Sequence, residues 1–352
     1  MKTIDDIKKV AVLGAGTMGP GIAQIYAMGG CTVTMWTRSE ATREKAIASL
    51  RTQLETFEAE DMLAEPKEAI FNRISFALTV EECVAGADFI QETIVEKAEA
   101  KQELYAQLAE IVPEDVIIAS NTSALNIFEI IPEKLLPQQI ICHWYAPPHV
   151  IPLVEVVKSE QAPQEFADVA IELLKKCGKT AVYMKKFIKG YIVNRLQQCL
   201  NREVFYLLDN GYCDAEAIDL AAKASFVPRA VVLGLLKRAD FGGLDMTANN
   251  YKNRSYTMPE HGDEMPRTLA EHVERGELGI KTGRGFYDYS DVDIEELKIK
   301  RDKQLFEIFK VAKKFMDDPD SGRSTVLPKR FGGVYSTQFP RFAMRALISS
   351  AV

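Results

Sequence analysis

The sequence predicts an α/β protein: a doubly wound parallel sheet over residues 1–187, an all-helical domain over 188–316, and a tail, 317–352, with no legible periodicity. Three observations predict this. Short apolar runs alternate with helical stretches as far as TAVYM (180–184), a glycine-rich turn joins the first run to the first helix, and from about residue 186 the strands stop and apolar-striped helices begin.

The first run, KVAVL, ends in G14-A-G-T-M-G19, and the small-residue helix pattern IAQIYAMGG follows. Strand, glycine turn and helix in this order are the context in which a GxGxxG match signifies a dinucleotide-binding Rossmann unit. Gly14 permits the tight turn, Gly16 lets a pyrophosphate approach the backbone, and Gly19 lets the helix pack on the strand with its N-terminus toward the phosphates. Thr17 and Met18 complete the candidate cofactor contact.

The second run, TVTMWT (32–37), ends in Thr37-Arg38-Ser39, where an NAD-specific chain would carry an acid for the ribose hydroxyls. A guanidinium beside two hydroxyls suits a 2′-phosphate, which tips the choice between NAD and NADP slightly toward NADP. Stacking of Arg38 on the adenine is the competing account.

Residues 40–70 read as helical and become acidic, with Glu55, Glu58, Glu60, Asp61, Glu65 and Glu68 against Lys67 in that half. The strands RISFAL (73–78), DFIQETIV (88–95) and VIIASNTSAL (116–125) come next, separated by helical stretches. Chemistry should collect in the loops after them, at the carboxyl edge of the sheet. Glu96, Lys97 and Lys101 follow one strand; Ser120, Asn121, Thr122 and Ser123 follow another, where they either cap a helix or set a hydroxyl beside a nicotinamide.

The stretch QIICHWYAPPHVIPLVEVV (139–157) carries the strongest chemical signal. One apolar strand delivers His143, two prolines turn the chain, and a second apolar strand brings back a lone carboxylate, Glu155. A buried carboxylate is costly without a donor, and an imidazole whose Nδ1–H is held there keeps Nε2 free to take a proton. An ordinary satisfied polar pair at a strand end is the alternative.

Beyond this stretch, GYIVNRLQQCLNREVFYLL (190–208) has helical spacing, with Asn194 in its first turns, and Asp214 is an N-cap candidate. ADFGGLDMT (239–247) and GIKTGRGFYDYS (279–290) read as turn-rich, and an amphipathic helix covers 295–316.

At 352 residues, 47% hydrophobic and 26% charged, the composition is that of a globular protein. A net charge of −7 and a pI near 5.4 argue against a general nucleic-acid or anionic-membrane surface. No run reaches the roughly 20 apolar residues of a membrane helix and the first residues show no signal-peptide core, so a cytoplasmic location is expected. Six scattered cysteines and four histidines without ligand spacing suggest reduced thiols and no metal site.

GAGTMG, IVEKAEAKQELY, SNTSAL, HWYAPPHVIPLVEVV, GYIVNRL and KTGRGFYDY, in this order, resemble the 3-hydroxyacyl-CoA dehydrogenase family over residues 8 to about 315. The resemblance implies a dehydrogenase of fatty acid metabolism that interconverts a 3-hydroxyacyl compound, such as 3-hydroxybutyryl-CoA, with its 3-keto form, as a homodimer through the helical domain. It also implies roles: His143 as general base, Glu155 as its partner, Ser123 and Asn194 at the substrate oxygen, and Glu96, Lys101 and Asn121 about the cofactor. Two departures touch the substrate. Ala146 stands where fatty-acyl members carry asparagine, and PPHVIPLVE is more similar to the branch acting on free hydroxy acids, the gulonate and carnitine dehydrogenases. The acidic segment near 52–68 would repel a polyanion such as CoA, unless it is only a solvated face. A non-catalytic dinucleotide-binding protein is the rival of another class, and the four catalytic candidates argue against it.

Overall fold

The computed structural model describes residues 3–253 and 264–316, so the expected tail at 317–352 lies outside the described residues. Eight strands form one sheet: β1 (Lys9–Leu13), β2 (Thr32–Trp36), β3 (Ile74–Ala77), β4 (Phe89–Glu92), β5 (Ile117–Ser120), β6 (Gln139–Trp144), β7 (Leu153–Lys158) and β8 (Thr180–Tyr183). Their order is β3-β2-β1-β4-β5-β6-β7-β8, and every neighbouring pair is parallel except β6–β7.

Helices α1 (Gly19–Met28), α2 (Glu40–Ala59), α3 (Lys67–Phe71), α4 (Val80–Val84), α5 (Ala98–Ile111), α6 (Ile127–Ile130) and α7 (Gln164–Lys176) connect the strands. They cover both faces, which is why the strands read as continuous apolar runs. On one face Ile22 and Tyr26 of α1, Leu50 of α2 and Leu173 of α7 pack against Val10, Val33 and Cys142. On the other, Leu104, Tyr105 and Leu108 of α5 pack against Leu13, Ile90 and Ile118.

The strand expected over 88–95 ends at Glu92. There the Glu92 side chain accepts the Ile94 N–H at 2.8 Å, which turns the chain out of the ladder and puts Thr93–Val95 in the edge loop.

The helical part holds α8 (Val193–Asp209), α9 (Ala215–Ala221), α10 (Val227–Leu233), α11 (Leu235–Gly242), α12 (Leu244–Lys252), α13 (Arg267–Glu274) and α14 (Ile294–Met316). Asp214 caps α9, its Oδ1 accepting the Ala217 N–H at 2.8 Å. ADFGGLDMT is helical rather than turn-rich: α11 and α12 meet at Gly243, whose φ of +88° supplies the break. The segment 279–290 is irregular, with bridges Gly279–Arg284 and Arg284–Asp288. Helices α8 to α11 and α13 bury no residue. In contrast, α14 returns to the sheet domain and buries Phe306 edge-on against Phe57 of α2 at 5.1 Å. No helix among the described residues is long and apolar enough to cross a membrane.

Candidate active site

His143 and Glu155 occupy directly opposed positions in the antiparallel β6–β7 pair. Both are buried, and Nδ1 of the imidazole lies 3.0 Å from Glu155 Oε2. The same oxygen accepts the Tyr145 hydroxyl at 2.6 Å, and Oε1 accepts the N–H groups of Ile192 (2.9 Å) and Val193 (3.2 Å) at the start of α8. Burial pushes the Glu155 carboxyl upward, but the hydrogen bonds from His143, Tyr145, Val193 and Ile192 outweigh it and hold the group below its ordinary value. A carboxylate so satisfied stays ionised and orients the ring. Among the described residues nothing in the protein bonds Nε2, so that nitrogen is the one available for proton transfer.

The tip of this hairpin is held from behind. Lys179, buried just before β8, donates to the carbonyls of Pro148 at 2.6 Å and Ile151 at 2.9 Å and lies 5.4 Å from the Trp144 ring. Burial pushes its pKa down to about 7. His149, in the same turn, is placed between α1, α2 and α14: it packs on Phe57 and Gly21, and its Nε2 lies 3.8 Å from Asp302 Oδ2.

The loop after β5 is ordered by Glu96. Its Oε1 accepts the Thr122 hydroxyl (2.6 Å) and the N–H groups of Ser123 (2.8 Å), Ala124 (2.9 Å) and Leu125 (3.3 Å). Burial opposes ionisation of Glu96, yet these donors and the Lys101 charge bring its pKa below the ordinary value. Ser123 is exposed on this turn, and Asn194 is exposed on the first turn of α8. Asn121 ties two strand ends together: Nδ2 donates to Thr93 Oγ1 at 3.2 Å and Oδ1 accepts the Trp144 N–H at 2.7 Å. Lys101 is fully buried, 2.6 Å from Glu92 Oε1 and 3.5 Å from Glu96 Oε2. It pairs beneath the loop that Glu96 orders.

Three groups that reading the sequence had not singled out belong to this site: Glu92, Tyr145 and Tyr191. Glu92 anchors Lys101 and accepts the Ser120 hydroxyl at 2.5 Å. A signal existed, because Lys101, Leu104, Tyr105 and Leu108 fall at helical spacing on the buried face of α5, so the lysine needed an internal carboxylate. Tyr191 lies stacked on the His143 ring, and no local pattern announces it.

The glycine turn fits a dinucleotide. Gly14 has φ +124°, and a Cβ there would come 2.7 Å from the Thr93 carbonyl oxygen; a Cβ on Gly19 would run into the Gly14 carbonyl. Gly16 faces open space, as close approach of a pyrophosphate requires, while Thr17 is exposed and Met18 half-buried beside it at the N-terminus of α1. At the end of β2 Thr37 is buried, and the Ser39 hydroxyl caps α2 by accepting the Thr42 N–H. Arg38 is exposed, as is Ser39.

Comparison with known proteins decides the family. Residues 9–187 match the 3-hydroxyacyl-CoA dehydrogenase NAD binding domain, and residues 190–289 match the 3-hydroxyacyl-CoA dehydrogenase C-terminal domain. The chain belongs to the 3-hydroxyacyl-CoA dehydrogenase family. A Bacillus subtilis protein described as "Probable 3-hydroxybutyryl-CoA dehydrogenase" is 35% identical over 288 residues, 81% of this chain and 99% of that one. An L-carnitine dehydrogenase of Streptomyces griseus is 29% identical over 313 residues, 87% and 90% of the two chains. Among solved structures, the NAD+-dependent 5-formyl-3-hydroxy-2-methylpyridine 4-carboxylic acid 5-dehydrogenase superposes with a TM-score of 0.78 at 26% identity, over 87% of this chain and 99% of that one. This family member is thus an NAD-dependent dehydrogenase acting on a secondary hydroxyl, built from a Rossmann domain followed by a helical one.

Proposed function

We propose that the chain interconverts a 3-hydroxyacyl compound and its 3-keto form, with His143 as general base and Glu155 as the carboxylate that fixes it. The observation that carries this reading is the imidazole held through Nδ1 at 3.0 Å by a four-donor carboxylate, with Nε2 left over. A bound nicotinamide supplies the hydride-accepting carbon. Nε2 of His143 takes the hydroxyl proton, Glu155 stabilises the imidazolium, and Ser123 and Asn194 orient the substrate oxygen.

A CoA thioester such as 3-hydroxybutyryl-CoA is the first substrate candidate, supported by the family and by the Bacillus subtilis relative. A specific observation favours a second reading, a free hydroxy acid. The acidic segment carrying Glu55, Glu58 and Glu60 is packed by α14, which places Phe306 on Phe57 and Lys303 3.4 Å from Glu60. That helix lies beyond residue 289, where the family match ends. Both features disfavour a large polyanionic carrier there, and the carnitine dehydrogenase relative is consistent with this.

Oxidation of NADH and NADPH with acetoacetyl-CoA and with free acetoacetate tests both readings. Turnover of the thioester alone supports the CoA carrier, turnover of the free acid alone supports the second reading, and silence with every 3-keto substrate overturns both. For NADP the support is Arg38, an exposed guanidinium just after the end of β2. Arg38→Ala should then raise KM for NADPH by about tenfold, and for NADH far less.

The helical domain supports a homodimer. Its helices leave Leu235, Leu236 (84% exposed) and Phe241 (78%) in solvent, and a cavity of about 590 Å³ opens between Phe205, Ile218, Leu269 and Phe286. Apolar surface on this scale is what a second copy of the chain would cover. Light scattering should give twice 39.4 kDa, and Leu236→Asp should shift the mass toward the monomer.

A further inference from the structure

Tyr191 belongs to the short segment between the two domains, and its backbone is unusual: φ is +49°, in the left-handed region that bulky side chains avoid. The surrounding structure therefore pays to keep this ring where it is. The ring is fully buried and stacks on the His143 imidazole, with centroids 4.4 Å apart and planes 20° from parallel. Its hydroxyl donates to the Thr122 carbonyl at 2.7 Å, in the turn that carries Ser123. Phe187 packs edge-on behind it at 5.8 Å. The next two residues, Ile192 and Val193, give their N–H groups to Glu155. Three consecutive residues thus touch the imidazole, its carboxylate and the serine turn.

We propose that Tyr191 is a positioning residue for proton transfer, its ring fixing the imidazole plane and its hydroxyl locking the Ser123 turn to the base. This rests on the role proposed for His143. Glu155 holds one ring nitrogen, but a single hydrogen bond still tolerates tilting of the ring plane; a face-to-face aromatic contact narrows this freedom and aims Nε2. The Tyr145 ring also packs on this imidazole, with centroids 4.6 Å apart and planes 62° from parallel. Because the hydroxyl and the ring do separate things, they come apart by substitution.

Tyr191→Phe keeps the stack and loses one hydrogen bond, so kcat should fall about threefold to tenfold. Tyr191→Leu loses both, and kcat should fall about 100-fold while KM for the nicotinamide cofactor stays within about twofold. A second readout needs no substrate: in NMR of histidine-labelled protein, ring protons of His143, assigned by His143→Gln, should be shifted upfield in the wild type and in Tyr191→Phe and lose that shift in Tyr191→Leu. Should Tyr191→Leu not fold, Phe187→Leu removes the backing ring and should reduce both the shift and kcat. An unchanged His143 signal, or equal kcat in the Leu and Phe variants, overturns the proposal. Loss of the NMR signature in an enzyme that turns over no 3-keto substrate instead leaves the positioning intact and overturns the reading of function.

Discussion

His143 and Glu155 are cross-strand partners, so the backbone register of β6 and β7, and not a flexible loop, sets the 3.0 Å contact between imidazole and carboxylate. Removing the imidazole therefore removes a group without disturbing its frame. His143→Ala should retain NADH binding in a fluorescence titration while kcat falls by about 10²–10⁴-fold, the usual contribution of a positioned general base. Near-normal turnover would exclude the role.

Glu155 links the same pair to pH. Its folded pKa is held below the ordinary 4.5, so its contribution to stability is present above that value and is lost as pH falls through the lower folded value. The melting temperature should drop as pH falls below the ordinary carboxylate range, and Glu155→Gln should melt lower at pH 7 and show a shallower drop. A variant with the wild-type acid profile would show that other carboxylates dominate.

Two glycines of the turn should separate by phenotype. Gly16 has open space around a would-be Cβ, so Gly16→Ala should melt like the wild type yet bind NADH weakly, because the added methyl occupies the approach to the phosphates. Gly19→Ala collides with the Gly14 carbonyl and should lose roughly 1–3 kcal/mol of stability. Calorimetry beside a binding titration distinguishes the two, and equal losses of stability would contradict the assignment.

Lys179 should give the opposite pH signature to an ordinary lysine. Burial lowers its pKa from 10.5 to about 7, so its contribution is present above about 10.5 and is lost as pH falls toward 7. Between pH 7 and 9 the wild type should gain melting temperature relative to Lys179→Met, which has no proton to release. Parallel curves would mean that the ammonium remains charged throughout.

The sheet was legible because parallel strands buried on both faces must be apolar, and each such run in the sequence became a strand. Glu155 was legible for the same reason: a carboxylate flanked by valines in a buried strand demands a donor, and a histidine twelve residues earlier is one. The inward contact of Lys101 was less legible: its place in the apolar stripe of α5 turns it to Glu92, a partner set by the fold and not by local spacing. Tyr145 and Tyr191 were silent for a different reason. Their hydroxyls meet partners 10 and 69 residues away, contacts that no periodicity encodes. ADFGGLDMT read as a turn because paired glycines are poor helix formers, but a single positive φ at Gly243 suffices and leaves helices on either side.

The family matches break between residues 187 and 190, immediately before Tyr191, Ile192 and Val193, whose ring and amides contact His143 and Glu155. The boundary that separates the two modules by descent is thus not the boundary of the chemistry. A chimera that borrows its helices from a relative must keep this chain's own residues through Val193, or it will inherit a folded nucleotide-binding half whose histidine has lost its bearings.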